Sequence, residues 1–153
     1  MTITLRKLAL SAFLSVSALS AVTLTSCNKD EECAAGYEGS DCKTLVAQKF
    51  IGVWSASDKE TVSGKALSSY VATITTSTDV TKVNIGDISD EYFENNVVGS
   101  VSGTKITITE QAPDSDGYTI SGTGDLVSGK MVWNYTIKSP LNVALAYDGT
   151  WSK

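Results

Sequence analysis

The sequence predicts an all-β protein whose main domain is a single eight-stranded antiparallel up-and-down barrel. Between residues 44 and 153, short runs that alternate apolar and polar residues are separated by Gly, Ser, Thr, Asn and Asp. This alternation is typical of antiparallel strands. The connections between runs are too short to cross a sheet, so each strand is expected to pair with the next. Eight strands with one apolar face each can close into a barrel, and a two-sheet β-sandwich is the alternative.

Eight runs account for the predicted strands. They are Phe50–Asp58, Ser69–Thr76, Val80–Gly86, Val97–Ser102, Lys105–Glu110, Tyr118–Leu126, Lys130–Lys138 and Asn142–Ser152. The alternation of the seventh run places on one face Met131, Trp133, Tyr135 and Ile137. That of the last run places together Val143, Leu145, Tyr147 and Trp151. A single helical turn within residues 42–50 is expected to cover one end of the barrel.

Residues 1–26 are interpreted as a secretory signal peptide. Arg6 and Lys7 precede Leu8–Leu24, an uncharged segment rich in Leu, Ala, Val and Ser. This order of a basic and an apolar region is typical of a signal. As a permanent membrane span the segment is marginal, because Ser and Thr dilute its apolar residues.

The end of the signal carries a more specific motif. Leu24-Thr25-Ser26-Cys27 resembles the lipobox of bacterial lipoproteins, in which an aliphatic and two small residues precede a cysteine. The resemblance implies cleavage before Cys27 and acyl chains on that residue, so the membrane is an expected partner. Two chains suffice for stable anchoring, since each buried methylene contributes about 0.8 kcal/mol. The following Asn28-Lys29-Asp30-Glu31-Glu32 resembles the signal that exports some lipoproteins to the outer face of the outer membrane; otherwise it is a solvated tether.

Residues 27–43 are interpreted as a lipid-anchored tether with one closed loop. Cys33 and Cys42 enclose Gly36-Tyr37 and Gly39, a pattern that resembles the last disulfide hairpin of an EGF-like domain. Outside the reducing interior of the cell this pair is expected to be oxidised. Closing such a loop stabilises it by about 2.7 kcal/mol in the chain-entropy model. Two interpretations stay open, a stapled spacer and a recognition knob.

The third segment, residues 44–153, carries a family resemblance. Gly52-Val53-Trp54 resembles the Gly-x-Trp opening of lipocalins and other calycins, and Gly149-Thr150-Trp151 repeats it on the last strand. In that family the Trp lies across the closed end of an eight-stranded barrel, and a late Arg packs on it. The segment has no Arg, so Lys153 is the expected partial substitute. As a whole the chain is similar to calycin-like barrels on small bacterial surface lipoproteins.

Composition excludes several chemistries. The chain has no His, and residues 27–153 have no Arg, so Ser-His-Asp and Cys-His catalysis and His-ligated zinc are excluded. Those residues carry 10 Lys against 17 Asp and Glu, a net charge of −7. Such an acidic chain lacks the cations that nucleic acid requires, so no nucleic-acid partner is expected. No enzyme activity, cofactor or metal is expected either.

Two sets of side chains are candidate site residues. The aromatic set is expected to line a pocket for a small apolar ligand, or else to pack as a core: Trp54, Tyr70, Tyr118, Trp133, Tyr135 and Tyr147. The acidic set has three possible interpretations: a catalytic carboxylate pair, a cation site or a solvated loop. It consists of Asp87, Asp90, Glu91 and Glu94. Asp114-Ser115-Asp116-Gly117 begins like a calcium loop but fits a hairpin turn better.

The favoured function is non-enzymatic binding at the outer membrane, facing outside the cell. The expected partner is a small apolar ligand, or else a surface protein or glycan. One alternative is a structural or adhesion accessory whose barrel is filled. The other alternative is a hydrolase that uses paired carboxylates, the one catalytic group that the composition leaves.

The lipid anchor leads to a direct prediction. Replacing the acylated residue, Cys27→Ala, removes the thiol that carries the acyl chains and is expected to release the protein from membranes. The measurement is the partition of the protein between membrane and soluble fractions of cells. An unchanged membrane fraction in the variant would contradict lipidation at Cys27.

Overall fold

Residues 32–153 are described by a computed structural model, in which they form a closed antiparallel β-barrel behind a small disulfide hairpin. The strands are β1 (Tyr37–Glu38), β2 (Thr44–Leu45), β3 (Gly52–Glu60), β4 (Tyr70–Thr76), β5 (Lys82–Gly86), β6 (Val97–Ser102), β7 (Lys105–Gln111), β8 (Thr119–Val127), β9 (Lys130–Lys138) and β10 (Ala144–Ser152). Strands β3 to β10 pair in chain order, and β10 pairs with β3. The predicted barrel is confirmed, and its closure excludes the β-sandwich. The predicted signal peptide and Cys27 lie outside the described residues.

The predicted strands match the observed ones closely, with differences at their ends. The run predicted to begin at Asn142 begins at Ala144, because Ser139–Val143 forms a turn. In that turn the Ser139 N–H donates to the Val143 carbonyl at 2.9 Å, and the Asn142 N–H donates to the Ser139 carbonyl at 2.8 Å. Val143 therefore precedes the strand and is exposed, as is Leu145 at the strand's beginning, so both were wrongly expected to pack with Trp151.

The two ends of the barrel are connected differently. At one end, which we call the closed end, the connections between strands are residues 77–81, 103–104 and 128–129. At the other, which we call the open end, they are the longer loops 61–69, 87–96, 112–118 and 139–143. Loop 87–96 contains α1 (Ile88–Glu91), a single turn in which Ser89 and Asp90 have left-handed backbone angles. Within residues 32–153, no helix has the length and apolarity needed to span a bilayer.

A short helix and Trp54 cover the closed end. The 3-10 helix Val46–Lys49 is separated from β3 by two residues and confirms the helical turn expected there. The Trp54 side chain is buried, and its Nε1–H donates to the Phe50 carbonyl at 2.8 Å. The Lys153 ammonium lies 4.5 Å from the centre of the Trp54 ring and donates to the Ile51 carbonyl at 2.8 Å. Lys153 therefore takes the place expected of the late Arg, as a cation over the ring.

The disulfide hairpin packs against the closed end of the barrel. Cys33 and Cys42 are bonded, as expected, with Cα atoms 5.2 Å apart. The Val46 N–H donates to the Gly36 carbonyl at 2.9 Å, which joins the hairpin to the 3-10 helix. Gly36 has a φ of +87°, and a Cβ there would lie 2.8 Å from the Val80 carbonyl oxygen in the turn between β4 and β5. This close approach requires glycine.

The barrel interior is filled by its own side chains. Fully buried residues come from each of the eight strands, among them Trp54, Ile74, Ile85, Val97, Ile106, Ile120, Met131, Trp133 and Trp151. A side chain that faced a space large enough for water would be accessible to it, and these are not. Their mutual packing forms one core that continues into the 3-10 helix.

Candidate functional site

A buried carboxylate is the centre of a polar cluster inside the barrel. Asp58 of β3 is 1% exposed. Its Oδ2 accepts hydrogen bonds from the Tyr70 hydroxyl at 2.5 Å and the Tyr135 hydroxyl at 2.7 Å, and its Oδ1 accepts one from the Trp151 Nε1–H at 2.9 Å. The three donors belong to β4, β9 and β10, so one carboxylate connects four strands. These bonds satisfy a polar group whose burial would otherwise be costly.

The cluster extends into loop 87–96 at the open end. The Ser89 N–H donates to the Tyr70 hydroxyl oxygen at 2.9 Å, and Ser89 is itself buried. Its neighbours Ile88 and Phe93 are buried in the same core. The loop therefore covers the open end of the barrel and is connected to Asp58 through a single phenol.

Both phenols of the cluster are held in their neutral form. Burial raises the pKa of Tyr70 well above its ordinary value, and the charge of Asp58 raises it further. Burial likewise raises the pKa of Tyr135, with added effects of Tyr70 and Asp58. An ionised phenol next to a carboxylate would be doubly unfavourable. The two hydroxyls therefore stay protonated near neutral pH and donate hydrogen bonds to Asp58.

Gly149 provides the space that Asp58 occupies. It lies directly opposite Asp58 in the pairing of β10 with β3. A Cβ at Gly149 would lie 2.3 Å from the Asp58 Oδ1 atom, a distance that no real contact allows. The glycine of the second Gly-x-Trp motif is therefore explained by the carboxylate, and Trp151 of the same motif donates to it.

Trp133 lies beside this cluster without joining it. Its ring is 4.9 Å from that of Trp151, at an interplanar angle of 45°. Its Nε1–H is buried and has no hydrogen-bond partner, the one such side-chain atom recorded within residues 32–153. The ring contributes packing, and nothing in the structure explains the unpaired N–H.

Tyrosines also cluster at the open end. Tyr92 packs edge-on against Phe93 and Tyr118, with ring centres 5.2 and 5.4 Å away. Burial raises the pKa of Tyr92 to about 12, with a further contribution from its hydrogen bond to Tyr118. Tyr147 stacks on Tyr135 at 5.2 Å. Tyr147 thus extends the aromatic packing of the Asp58 cluster toward the open end, where Tyr92, Phe93 and Tyr118 form a second aromatic group.

Exposed apolar side chains surround this end of the barrel. Val62 is 89% exposed, Leu141 86%, Val143 59% and Leu145 41%. The Thr61 N–H donates to the Ala146 carbonyl at 2.8 Å, which holds the loop of Val62 beside β10. We call Val62, Leu141, Val143, Leu145 and Tyr92 the open rim. Exposed apolar residues concentrated at one end of a domain are a candidate interaction site.

The six aromatic residues predicted from the sequence lie in different places. Trp54 is buried at the closed end. Tyr70, Trp133, Tyr135 and Tyr147 are buried in and around the Asp58 cluster, whereas Tyr118 is half-buried at the open end. Those that lie together are packed against one another. The concavity of about 440 Å³ next to Asp58 and Trp133 is lined on the outside of the barrel by Ser57, Lys59, Asn134 and Thr150.

The acidic residues predicted from the sequence lie on a solvated loop. Asp87, Asp90 and Glu94 are exposed, and the side chain of Glu91 lies outside the described part of the structure. Among the residues that the structure describes, no three Cys, Asp or Glu side chains are grouped to hold a metal ion.

Asp114 fixes this acidic loop in place. Its carboxylate accepts hydrogen bonds from the backbone N–H groups of Glu94 and Asn95, both at 2.9 Å, and from the Asn95 amide at 2.8 Å. Desolvation acts to raise the pKa of Asp114, but these bonds outweigh it and the pKa is lowered. Asp116 accepts from the Tyr118 N–H at 3.0 Å, as a turn residue does. Both carboxylates therefore organise the loops of the open end.

Sequence reasoning missed Asp58 and Ser89. A signal for Asp58 was present, because it follows Trp54 and Ala56 at a spacing of two residues and so faces inward with them. An inward carboxylate in a barrel rich in Tyr and Trp predicts buried hydrogen bonds. Ser89 had no such signal, since its role depends on a backbone N–H that meets Tyr70 19 residues away.

Removal of the central carboxylate is expected to destabilise the barrel strongly. Asp58→Ala leaves three buried donors without an acceptor, and the free energy of unfolding is expected to fall by at least about 3 kcal/mol. Asp58→Asn keeps one acceptor oxygen and is expected to lose less. The measurement is urea unfolding followed by Trp fluorescence. Asp148→Ala, on the outer face of β10, is the control and should change stability little; equal losses at both positions would contradict the role of Asp58.

The buried phenols predict a loss of stability at alkaline pH. The pKa of Tyr70 and that of Tyr135 are raised in the folded state above the ordinary value of 10.0. Their contribution is therefore complete below about pH 10 and is lost as the pH rises, because the unfolded chain releases protons that the folded chain keeps. Each such tyrosine lowers the free energy of unfolding by about 1.4 kcal/mol per pH unit. Urea midpoints above pH 10 measure this slope, and an unchanged slope in Tyr70→Phe would contradict it.

Comparison with known proteins adds no family to these observations. No model of a known protein family matches the chain, and no curated protein matches its sequence significantly. The closed eight-stranded barrel is the architecture that the resemblance to calycins implied, and the hairpin disulfide is the one expected. Function must therefore be argued from the residues of this chain.

Proposed function

We propose that the protein is a non-enzymatic binding module of the bacterial cell envelope, lipid-anchored through Cys27, whose open rim contacts a protein partner. The observation that carries this proposal is the contrast between a filled interior and an exposed apolar rim at one end. The barrel architecture is consistent with binding, and the rim is where binding would occur without unfolding the core.

The filled interior favours an external partner over an enclosed ligand. Pockets for small ligands have volumes of roughly 300–1,000 Å³. Trp133, Trp151 and Ile120 occupy the corresponding space and are fully buried. An enclosed apolar ligand would have to displace them, at a cost like that of opening a cavity in a packed core.

The chemistry of the open end indicates the kind of partner. Loops 87–96 and 112–118 contain six acidic residues and no lysine, namely Asp87, Asp90, Glu91, Glu94, Asp114 and Asp116. They adjoin the apolar rim, where Leu141 and Val62 are almost fully exposed. Protein interfaces combine an apolar centre with a polar periphery, and complementary charge favours encounter. The partner proposed is therefore a surface protein with basic residues around an apolar contact, in preference to a glycan.

The available carboxylates support a non-enzymatic role. Asp58 is buried and engaged by three donors, so a substrate could reach it only by displacing core side chains. Asp114 accepts from backbone N–H groups of the neighbouring loop 87–96, and Asp116 accepts from one of its own loop. Residues 27–153 also lack the His and Arg side chains that often accompany catalytic carboxylates.

Substitution in the open rim tests the proposal. The double variant Val62→Ser and Leu141→Ser removes the two most exposed apolar side chains and is expected to reduce partner capture at least tenfold, since each central contact contributes about 1 kcal/mol or more. The measurement is crosslinking on intact cells, followed by quantitative recovery of crosslinked protein.

A matched pair of variants controls for general surface effects. Val53→Ser and Val127→Ser alter side chains that are 62% and 54% exposed near the closed end. This pair should leave capture unchanged. Equal capture by the rim variant and the wild type would refute the open rim as the surface that contacts the partner. A small molecule that stays bound in native mass spectrometry would favour an enclosed ligand instead.

A further inference from the structure

We infer that the closed end of the barrel faces an anionic lipid surface and contacts it through a ring of lysines. The ring consists of Lys82, Lys105, Lys130 and Lys153, and we call it the lysine ring. The inference rests on the proposed lipid anchor, which would bring the barrel to a membrane, and it adds which end of the barrel lies against that membrane.

The strand order places these lysines around one circumference. Strands β5, β7 and β9 each begin with a lysine: Lys82, Lys105 and Lys130. Alternate strands of an up-and-down barrel run in the same direction, so these first residues all lie at the closed end. Lys153 follows β10, which ends there and pairs with β3. A cation therefore stands near every second strand around this end.

The lysine ring is accessible to an external anion. Lys82 lies 3.2 Å from Asp79 and Lys105 lies 3.6 Å from Asp125, but these pairs are about half exposed. Exposed ion pairs are weak and are exchanged easily for another anion. For Lys130, no ion pair within 4 Å is recorded in residues 32–153. Lys153 is bound by neutral groups, a carbonyl and the Trp54 ring, so its charge is not cancelled.

The open end is more acidic than the closed end, where the ring lysines outnumber Asp79 and Asp125 and the hairpin balances Glu38 and Asp41 with Lys43 and Lys49. The four loops of the open end contain six acidic residues and one lysine, Lys65. An anionic lipid surface attracts lysines within about a Debye length and repels carboxylates. The orientation with the closed end toward the lipid is therefore favoured at both ends of the molecule.

The anchor is also attached on the correct side. The hairpin begins at Cys33 and forms a concavity with Thr81, Ser102 and Gly103 of the closed end. Six peptide steps separate Cys27 from Cys33, which reach at most about 20 Å when extended. Nine-residue strands, tilted as in most barrels, place the open end roughly 20 Å farther away. A tether this short keeps the closed end near the surface to which the acyl chains belong.

Fluorescent labels at the two ends test the orientation. The full-length acylated protein, with Thr104→Cys at the closed end or Leu141→Cys at the open end, is labelled and incorporated into phosphatidylcholine vesicles with or without phosphatidylglycerol. Nitroxide-headgroup lipids quench a label near the surface. We expect quenching of the Thr104 label that increases with phosphatidylglycerol, and little quenching of the Leu141 label. Equal quenching of both labels, or stronger quenching at Leu141, would overturn the inference.

Matched lysine variants test the ring itself. The triple variant Lys82→Gln, Lys105→Gln and Lys130→Gln is expected to abolish the effect of phosphatidylglycerol on the Thr104 label. The control changes an equal number of charges on or near the open end, namely Lys59→Gln, Lys65→Gln and Lys138→Gln, and should preserve the effect. A preserved effect in the first triple variant would overturn the role of the ring.

A separate measurement distinguishes failure of the anchor from failure of the ring. The Cys27→Ala protein, which has no acylation site, is sedimented with vesicles that contain phosphatidylglycerol. Weak binding that falls by about fivefold for each ring lysine removed supports the ring even if Cys27 proves not to be acylated. The absence of such binding would overturn the proposed contact between the lysine ring and the lipid surface, and it would not affect the proposal that Cys27 is acylated.

Discussion

The closure of the barrel depends on the hydrogen bonds that the buried carboxylate of Asp58 accepts. The carboxylate accepts them from donors on β4, β9 and β10, and it lies on β3, next to the pairing of the first and last barrel strands. A slip of this pairing by one residue would turn Asp58 outward and bring the ammonium of Lys59 into the core. The cluster therefore selects one register for the pairing of β3 with β10, the two barrel strands that lie farthest apart in sequence. Gly149, opposite Asp58, makes the same selection by leaving room for the carboxylate.

The filled core divides the molecule into two ends with different chemistry. The closed end has short turns, the 3-10 helix, the disulfide hairpin and a ring of lysines. The open end has longer loops, tyrosines, exposed aliphatic side chains and most of the acidic loop residues. Because the interior of the barrel is packed, the proposed partner would bind at the surface of one of its ends. Ser89 connects the loop over the open end to Tyr70, so the presentation of that surface depends on the buried cluster.

Features of the fold that depend on short sequence patterns could be predicted, whereas features that depend on contacts between distant residues could not. The runs Val97–Ser102 and Lys130–Lys138 coincide with β6 and β9, because strict alternation continues along each strand and a two-residue turn fixes one of its ends. The disulfide and the place of Lys153 were predictable from a motif. Val143 was placed wrongly because its turn depends on hydrogen bonds to Ser139 that alternation does not reveal. Asp58 was overlooked because an Asp at the end of an apolar run is usually taken as its boundary, whereas here three distant donors make an inward carboxylate stable.

The difference in charge between the two ends of the barrel can serve both proposed surfaces, the open rim and the lysine ring. Acidic loops at the open end would be repelled by an anionic membrane and would attract a basic partner, so the orientation of the barrel and the choice of partner follow from the same residues. A packed barrel suits this arrangement, because a rigid body between the two ends keeps the open rim at a fixed distance from the lysine ring. A barrel with a flexible, hollow interior would gain a ligand site but lose that fixed separation. The burial of Trp54, Trp133 and Trp151 is thus better understood as support for two outer surfaces than as the lining of an inner one.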